Sequence, residues 1–256
     1  MPKITPAELN TLRDHLNSHG ISNDVTTLRL STRAKRLIFT SSVKKGVEIV
    51  IPQNADRVWV SEMVEKRVQW IRDAEQRINE SRCQLNPTTI YLKALSEIWT
   101  VATKTPNETG CTPTVEDGHQ ITVHIDPNDV FCVARYLQQW LHSKAKASLF
   151  PWLTSLADKR ELSFNRVSIR NQSTRWGSCS AKGNINLNQN LLFLPKHLVE
   201  YVLQHELNHI NCLNHSESFW RSFSKVLPNF KELRSELKDS ETTVIPMWAS
   251  QKFNRR

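Results

Sequence analysis

The sequence has no Cys-x-x-Cys pair, no glycine-rich phosphate loop, no internal repeat and no apolar run of membrane-spanning length. Each absence removes a class. The five cysteines (Cys83, Cys111, Cys132, Cys179 and Cys212) are odd in number and widely spaced, so they read as free thiols in a reducing compartment and not as a disulfide framework. The first ten residues lack the basic-then-apolar layout of a secretory leader. With no membrane-spanning run either, the expectation is a cytoplasmic protein that does not engage a membrane. Acidic side chains are missing altogether from Leu162 to Val199, a stretch that holds Arg166, Arg170, Arg175, Lys182 and Lys196. That local bias says more than the overall charge of +9 and points to a segment that attracts anionic groups. A second basic cluster, Arg29, Arg33, Lys35 and Arg36, reads equally well as a solvated surface.

What is present is enough for a globular core: 256 residues, 39% hydrophobic, with eight tryptophans. Thr5-Pro-Ala-Glu8 is a capping box with proline at the first helical position, and Gly20 stops the helix it opens. Residues 25–30, 35–40 and 46–52 read as strands, with a hairpin turn at Val43–Gly46, and residues 55–82 as one long amphipathic helix. Short strands are expected at 89–92, 98–102 and 121–125, with a loop at 106–110. A helical run over 130–158 is interrupted or kinked at Pro151. Val167–Arg170 and Asn184–Asn188 alternate like strands around a small-residue loop, Ser173–Gly183. The expectation is an α+β protein: a β-rich N-terminal part over residues 1–128, a catalytic part over 129–245 and a loose tail over 246–256.

The chemistry is concentrated at His205-Glu-Leu-Asn-His209, followed by His215. Leu198, Val199, Val202, Leu203, Leu207 and Ile210 recur with helical spacing, so the motif sits on an amphipathic helix. Residues four apart share a face, so His205 and His209 can bind one metal ion, while Glu206 is turned beside it. Two histidines with an unligated glutamate form a zinc-hydrolase arrangement, the carboxylate serving as general base toward a water that Zn2+ acidifies. For His215 to become the third ligand the helix must end near Asn211–Asn214 and the chain turn back, a turn that asparagine favours through its tolerance of left-handed angles. Cys212 belongs to that turn as a structural residue. Asn184–Asn188, apolar on one face and polar on the other just before the helix, suits a sheet edge that an extended peptide extends. Arg170 and Arg175 are the candidate substrate-binding cations, with a structural salt bridge as the alternative role. Trp176 and Trp220 read as packing around the site, and Cys179 has no histidine beside it in sequence to make it a nucleophile.

The ordered motifs Arg-Trp-Gly-Ser-Cys-Ser (175–180), Gly-Asn-Ile-Asn-Leu-Asn (183–188), Leu-Pro-x-x-Leu-Val-x-Tyr-Val (194–202), His-Glu-Leu-x-His (205–209) and Asn-His-Ser-x-x-Phe-Trp (214–220) resemble the YgjP-like metallopeptidase family over about Leu28 to Leu237. The resemblance implies a zincin-like catalytic domain with an active-site helix and an edge strand, zinc on His205, His209 and His215, and Glu206 as the catalytic carboxylate. It also implies kinship with the SprT and WLM-type proteases that act on DNA-attached proteins, while some members are described as pyrophosphatases that cleave uridine triphosphate. Asn208 departs from the small residue or cysteine usual at its place.

Three functions remain open. A peptidase fits the zinc-plus-glutamate arrangement and the pairing strand. A nucleoside triphosphate pyrophosphatase fits the acid-free basic stretch but lacks the phosphate loop and the carboxylate cluster that would hold magnesium. A nucleic-acid-associated module with structural zinc fits the basic surface, but such a site has no need of Glu206. The expected partner is a peptide or nucleotide substrate of anionic character.

Overall fold

The computed structural model describes residues 5–104, 113–116, 118–126, 129–240 and 244–250. The expected loop at 106–110, Cys111 and the last six residues lie outside these. The chain divides into two compact units, Met1–Gln84 and Leu85–Arg256, so the boundary expected near residue 128 falls inside the second.

Among the described residues the first unit holds three helices and a three-stranded sheet. Helix α1 (Pro6–Ser18) starts on the capping box: Thr5 Oγ1 accepts from the Glu8 amide, and Glu8 Oε2 accepts from the Thr5 amide at 2.7 Å. Strands β1 (Thr26–Ser31), β2 (Ile38–Ser42) and β3 (Gly46–Pro52) order as β1-β3-β2, with β3 parallel to β1 and antiparallel to β2. The central β3 reads Val-Glu-Ile-Val-Ile, and its Val47, Ile49 and Ile51 are fully buried. Gly46 turns into it at φ +78°, against the Val25 carbonyl, where no side chain fits. The single helix expected over 55–82 is two, α2 (Arg57–Glu65) and α3 (Val68–Cys83). No glycine or proline marks the break. Arg67 at φ −111°, ψ 0° interrupts the helix, which brings Val60, Val64, Val68, Ile71, Ala74 and Ile78 onto one core with β3 and α1.

The second unit is built around α4 (Val130–Asp158), a continuous helix that carries Pro151 inside it without breaking. Val133, Leu137, Leu141, Ala145, Leu149 and Leu153 form its buried stripe. One sheet, β4 (Thr89–Leu92), β5 (Glu97–Lys104), β6 (Pro113–Glu116) and β7 (Gln120–His124), orders as β4-β5-β7-β6. The other, β8 (Arg166–Arg170), β9 (Gly177–Cys179) and β10 (Asn184–Asn188), orders as β8-β10-β9. Helices α5 (Lys196–Asn208), α6 (Glu217–Val226) and α7 (Phe230–Ser240) follow. The chain at 246–250 is not a loose tail. It forms a short helix, α8 (Met247–Ser250), whose Trp248 is 1% exposed, edge-on to Phe193, with its carbonyl accepting from Gln138 Nε2 at 2.7 Å. One indole's burial outweighs the polar composition around it.

On the β5–α4 side, Glu97 accepts from Trp99 Nε1 at 2.8 Å and pairs with Lys144 Nζ at 2.8 Å, with the ammonium 4.8 Å above the Trp99 ring. Burial raises the Glu97 carboxyl, but Lys144 and the Trp99 N–H overcome it and hold it below its ordinary value. A carboxylate with a depressed folded pKa stabilises the protein above its unfolded pKa, and that contribution is lost as pH falls through the folded one. Lys144→Met should therefore destabilise by about 1–3 kcal/mol at neutral pH. Denaturant melts should show this penalty shrinking as Glu97 protonates, and a penalty independent of pH would assign the loss to packing instead.

Candidate metal centre

Helix α5 begins after Pro195 and buries Leu198, Val199, Val202, Leu203 and Leu207. It ends earlier than the sequence implied, at Asn208, with His209 as the C-cap residue at φ −66°, ψ −16°. The amides of Ile210, Asn211 and Cys212 close tight turns onto Leu207 and Asn208, and none of residues 209–215 is left-handed. The reversal therefore comes from tightening of the last turn, not from an asparagine at positive φ.

This reversal brings His215 back over the helix. His205 Nε2 lies 3.3 Å from His209 Nε2 and 2.9 Å from His215 Nε2. Nitrogen ligands of a tetrahedral zinc stand about 3.3 Å apart, so the three imidazole edges already converge as such a site needs. A carbonyl oxygen can only accept, so the 2.9 Å contact of His209 Nδ1 with the Cys212 carbonyl fixes the proton on Nδ1 and leaves the Nε2 lone pair free for a metal. Cys212 thus acts through its backbone. Burial, then the neighbouring His209 and His215, push the His205 imidazole down to about 3, and burial with His209 lowers His215 as well. Neutral imidazole is the ligating form.

Glu206 is 5% exposed, and its Oε2 is buried without a hydrogen-bond partner, as is His205 Nδ1. Orphaned buried polar atoms cost about 1–3 kcal/mol each, a cost that a bound ion and its water would relieve here. Burial pushes the Glu206 carboxyl up to about 8, with the Arg175 guanidinium pulling the other way. The carboxylate rests on β9: a Cβ placed on Gly177 would stand 2.7 Å from both Glu206 Cγ and Oε1. The donor set and the partnerless carboxylate beside it fit a catalytic divalent ion.

The sheet next to α5 corrects one expectation. Asn184–Asn188 is not an edge strand: β10 lies in the middle, parallel to β8 and antiparallel to β9. Its asparagines face one way and lace the sheet together. Asn186 accepts from Ser168 Oγ at 2.6 Å and donates to Ser178 Oγ at 3.2 Å, and Asn188 Nδ2 donates to the Gln172 and Arg175 carbonyls at 2.8 Å each. The edge strand beside the glutamate is β9, Gly177–Cys179, within the segment expected to be a loop.

Arg175 enters β9 with its side chain exposed and its charge acting on Glu206, whereas Arg170 ends β8 on the opposite edge of that sheet. Trp176 is 9% exposed, consistent with packing. Trp220 stacks on His215 at 5.6 Å and on Phe230 at 5.2 Å, with the Arg234 guanidinium 5.0 Å over its ring. Burial, aided by the Glu206 charge, raises the Cys179 thiol to about 11, so at neutral pH it is no thiolate nucleophile.

Two contributors, Gly177 and Arg234, carry no role of their own in the sequence reading, and a third, Asn208, enters it only as a departure from the residue usual at its place. Gly177 makes room for the glutamate. Arg234 sends a positive charge toward His205, His215 and Tyr201. Asn208, 1% exposed, accepts from Arg160 Nη2 at 2.9 Å and from Ser222 Oγ at 3.3 Å and donates to the Phe219 carbonyl at 3.2 Å, tying α5 to α6. Gln204, one turn earlier on the same face, shares Arg160 through its side chain and its carbonyl. An amide pair four apart inside an apolar helix was the available signal.

Among the described residues no helix is long and apolar enough to cross a membrane. No curated protein matches the chain. A solved structure, the metallopeptidase zymogen abylysin of Pyrococcus abyssi, is 31% identical over 34% of this chain and 90% of its own, with a TM-score of 0.32. The family model of the YgjP-like metallopeptidase domain matches residues 35–240, which takes in both β9 and all three histidines. On that match, the chain belongs to the YgjP-like metallopeptidase family.

Proposed function

We propose that the chain is a zinc-dependent peptidase in which His205, His209 and His215 hold the ion and Glu206 is the general base. The observation that carries this reading is the convergence of three Nε2 atoms beside a buried carboxylate oxygen that has no partner. The ion, when bound, lowers the pKa of water toward ~7 and polarises a carbonyl. Glu206 takes the water's proton at Oε2 and carries it to the leaving nitrogen. The Gly177–Cys179 edge offers backbone groups along which an extended peptide pairs, placing a scissile bond over the end of α5. Arg175 and Arg234 give the site a positive rim that favours anionic segments of substrate, and the basic surface admits nucleic acid as a further partner.

Those same two cations support the second reading, hydrolysis of a nucleoside triphosphate. The zinc-restored protein should be given an unfolded polypeptide and nucleoside triphosphates side by side, with Glu206→Gln as the blank. The expected result is peptide-bond cleavage that the blank lacks, and intact triphosphates. Triphosphate cleavage that the blank lacks, without proteolysis, would overturn the peptidase.

A further inference from the structure

The first unit carries a second constellation of metal-binding side chains, independent of the centre on α5. His15 and His19 stand four apart at the end of α1, so both imidazoles leave the same face, with ring centroids 4.8 Å apart. Glu65, the last residue of α2, completes the group: its Oε2 lies 2.6 Å from His15 Nε2 and 3.7 Å from His19 Nε2. One ligand atom from each of the three lies within 4.8 Å of the other two.

Several features make this more than a surface ion pair. Arg57 Nη1 meets Glu8 Oε1 at 3.2 Å, where α2 and α1 begin, so the two helices run the same way and their C-terminal ends converge on the three ligands. Each C-terminus carries roughly half a negative charge, and two of them beside one carboxylate favour a cation. The end of α1 is also fixed in place. Gly20, at φ +76°, donates to the Asn17 carbonyl at 2.9 Å, Ile21 donates to the Leu16 carbonyl at 3.1 Å, and Arg72 Nη2 donates to the His19 carbonyl at 2.8 Å. Arg72 thus spends its charge on a backbone oxygen and leaves Glu65 to the histidines. The three side chains are between 33% and 52% exposed, which leaves room for water to complete a coordination shell.

We propose that His15, His19 and Glu65 form a second divalent-metal site that clamps the ends of α1 and α2. Two imidazoles with one carboxylate select a borderline ion such as Zn2+ over magnesium or calcium, which prefer all-oxygen shells. The site takes no part in hydrolysis and stabilises the first unit when loaded.

The test is zinc titration of the full chain by calorimetry, with far-UV circular dichroism to check the fold. The parent should take up two equivalents. His205→Ala/His209→Ala should retain one, and adding His15→Ala/His19→Ala to that background should remove it. Glu65→Gln keeps the shape and a hydrogen bond to His15 but loses the charge. In the same background it should weaken the remaining equivalent by about tenfold or more. If the catalytic-site variant binds no zinc, the proposal fails. If the remaining equivalent survives loss of both His15 and His19, or is indifferent to Glu65→Gln in a folded protein, the zinc sits elsewhere and the proposal also fails.

Discussion

Glu206→Gln should lower hydrolysis by roughly 10²- to 10⁴-fold, the range that a positioned general base contributes. The side chain keeps its length and volume, so the contact over Gly177 survives, and the neutral amide places no charge in a site that is 5% exposed. The three converging nitrogens belong to other residues, so zinc content should match that of the parent. Metal analysis and turnover on the same preparation check both halves. Zinc lost together with activity would make Glu206 a part of the metal cage, and turnover within a few-fold of the parent would remove it from the chemistry.

Parts of the fold and of this site were legible because their signals are local. The four-residue spacing of His205 and His209, the capping box at Thr5–Glu8 and the alternation of Asn184–Asn188 depend only on a helix or strand period, and each element forms where its pattern lies. What escaped depends on partners distant in sequence. Gly177–Cys179 has no strand propensity of its own and becomes a strand only through pairing with Ile185–Leu187, so the alternation of Asn184–Asn188 alone points to the wrong strand as the edge. The break between α2 and α3, with Val64 and Val68 buried on either side of it, carries no glycine or proline to announce it. Trp248 docks against Phe193 in a segment whose composition reads as tail. Arg234, on α7, acts on the histidines by its charge and stacks over the Trp220 ring of α6, a relation that no spacing rule encodes.

Gly177→Ala tests whether the edge strand and the carboxylate form one device. Gly177 is not in the left-handed region, so alanine meets no backbone strain there, and at this first position of β9 it should form the strand at least as well as glycine. The nearest conflict is with the Glu206 side chain. The added methyl would stand 2.7 Å from Glu206 Cγ and Oε1, closer than Cβ atoms come to their neighbours, so the carboxylate must retreat by roughly 0.7 Å to reach ordinary contact. Tight packing of Glu206 between α5 and β9 leaves that movement few directions, and a reacting group displaced by ~1 Å can lose about 10²-fold in rate. The expected result is a folded, zinc-loaded protein whose kcat falls by about that factor while KM changes little, since the edge backbone that would pair with a peptide is still present. Gly177→Ser should fall at least as far, because its side chain is larger. A Gly177→Ala protein with parental kcat would show that Glu206 does not act from its place over β9, and a protein that loses zinc would show that the glycine supports the histidines instead.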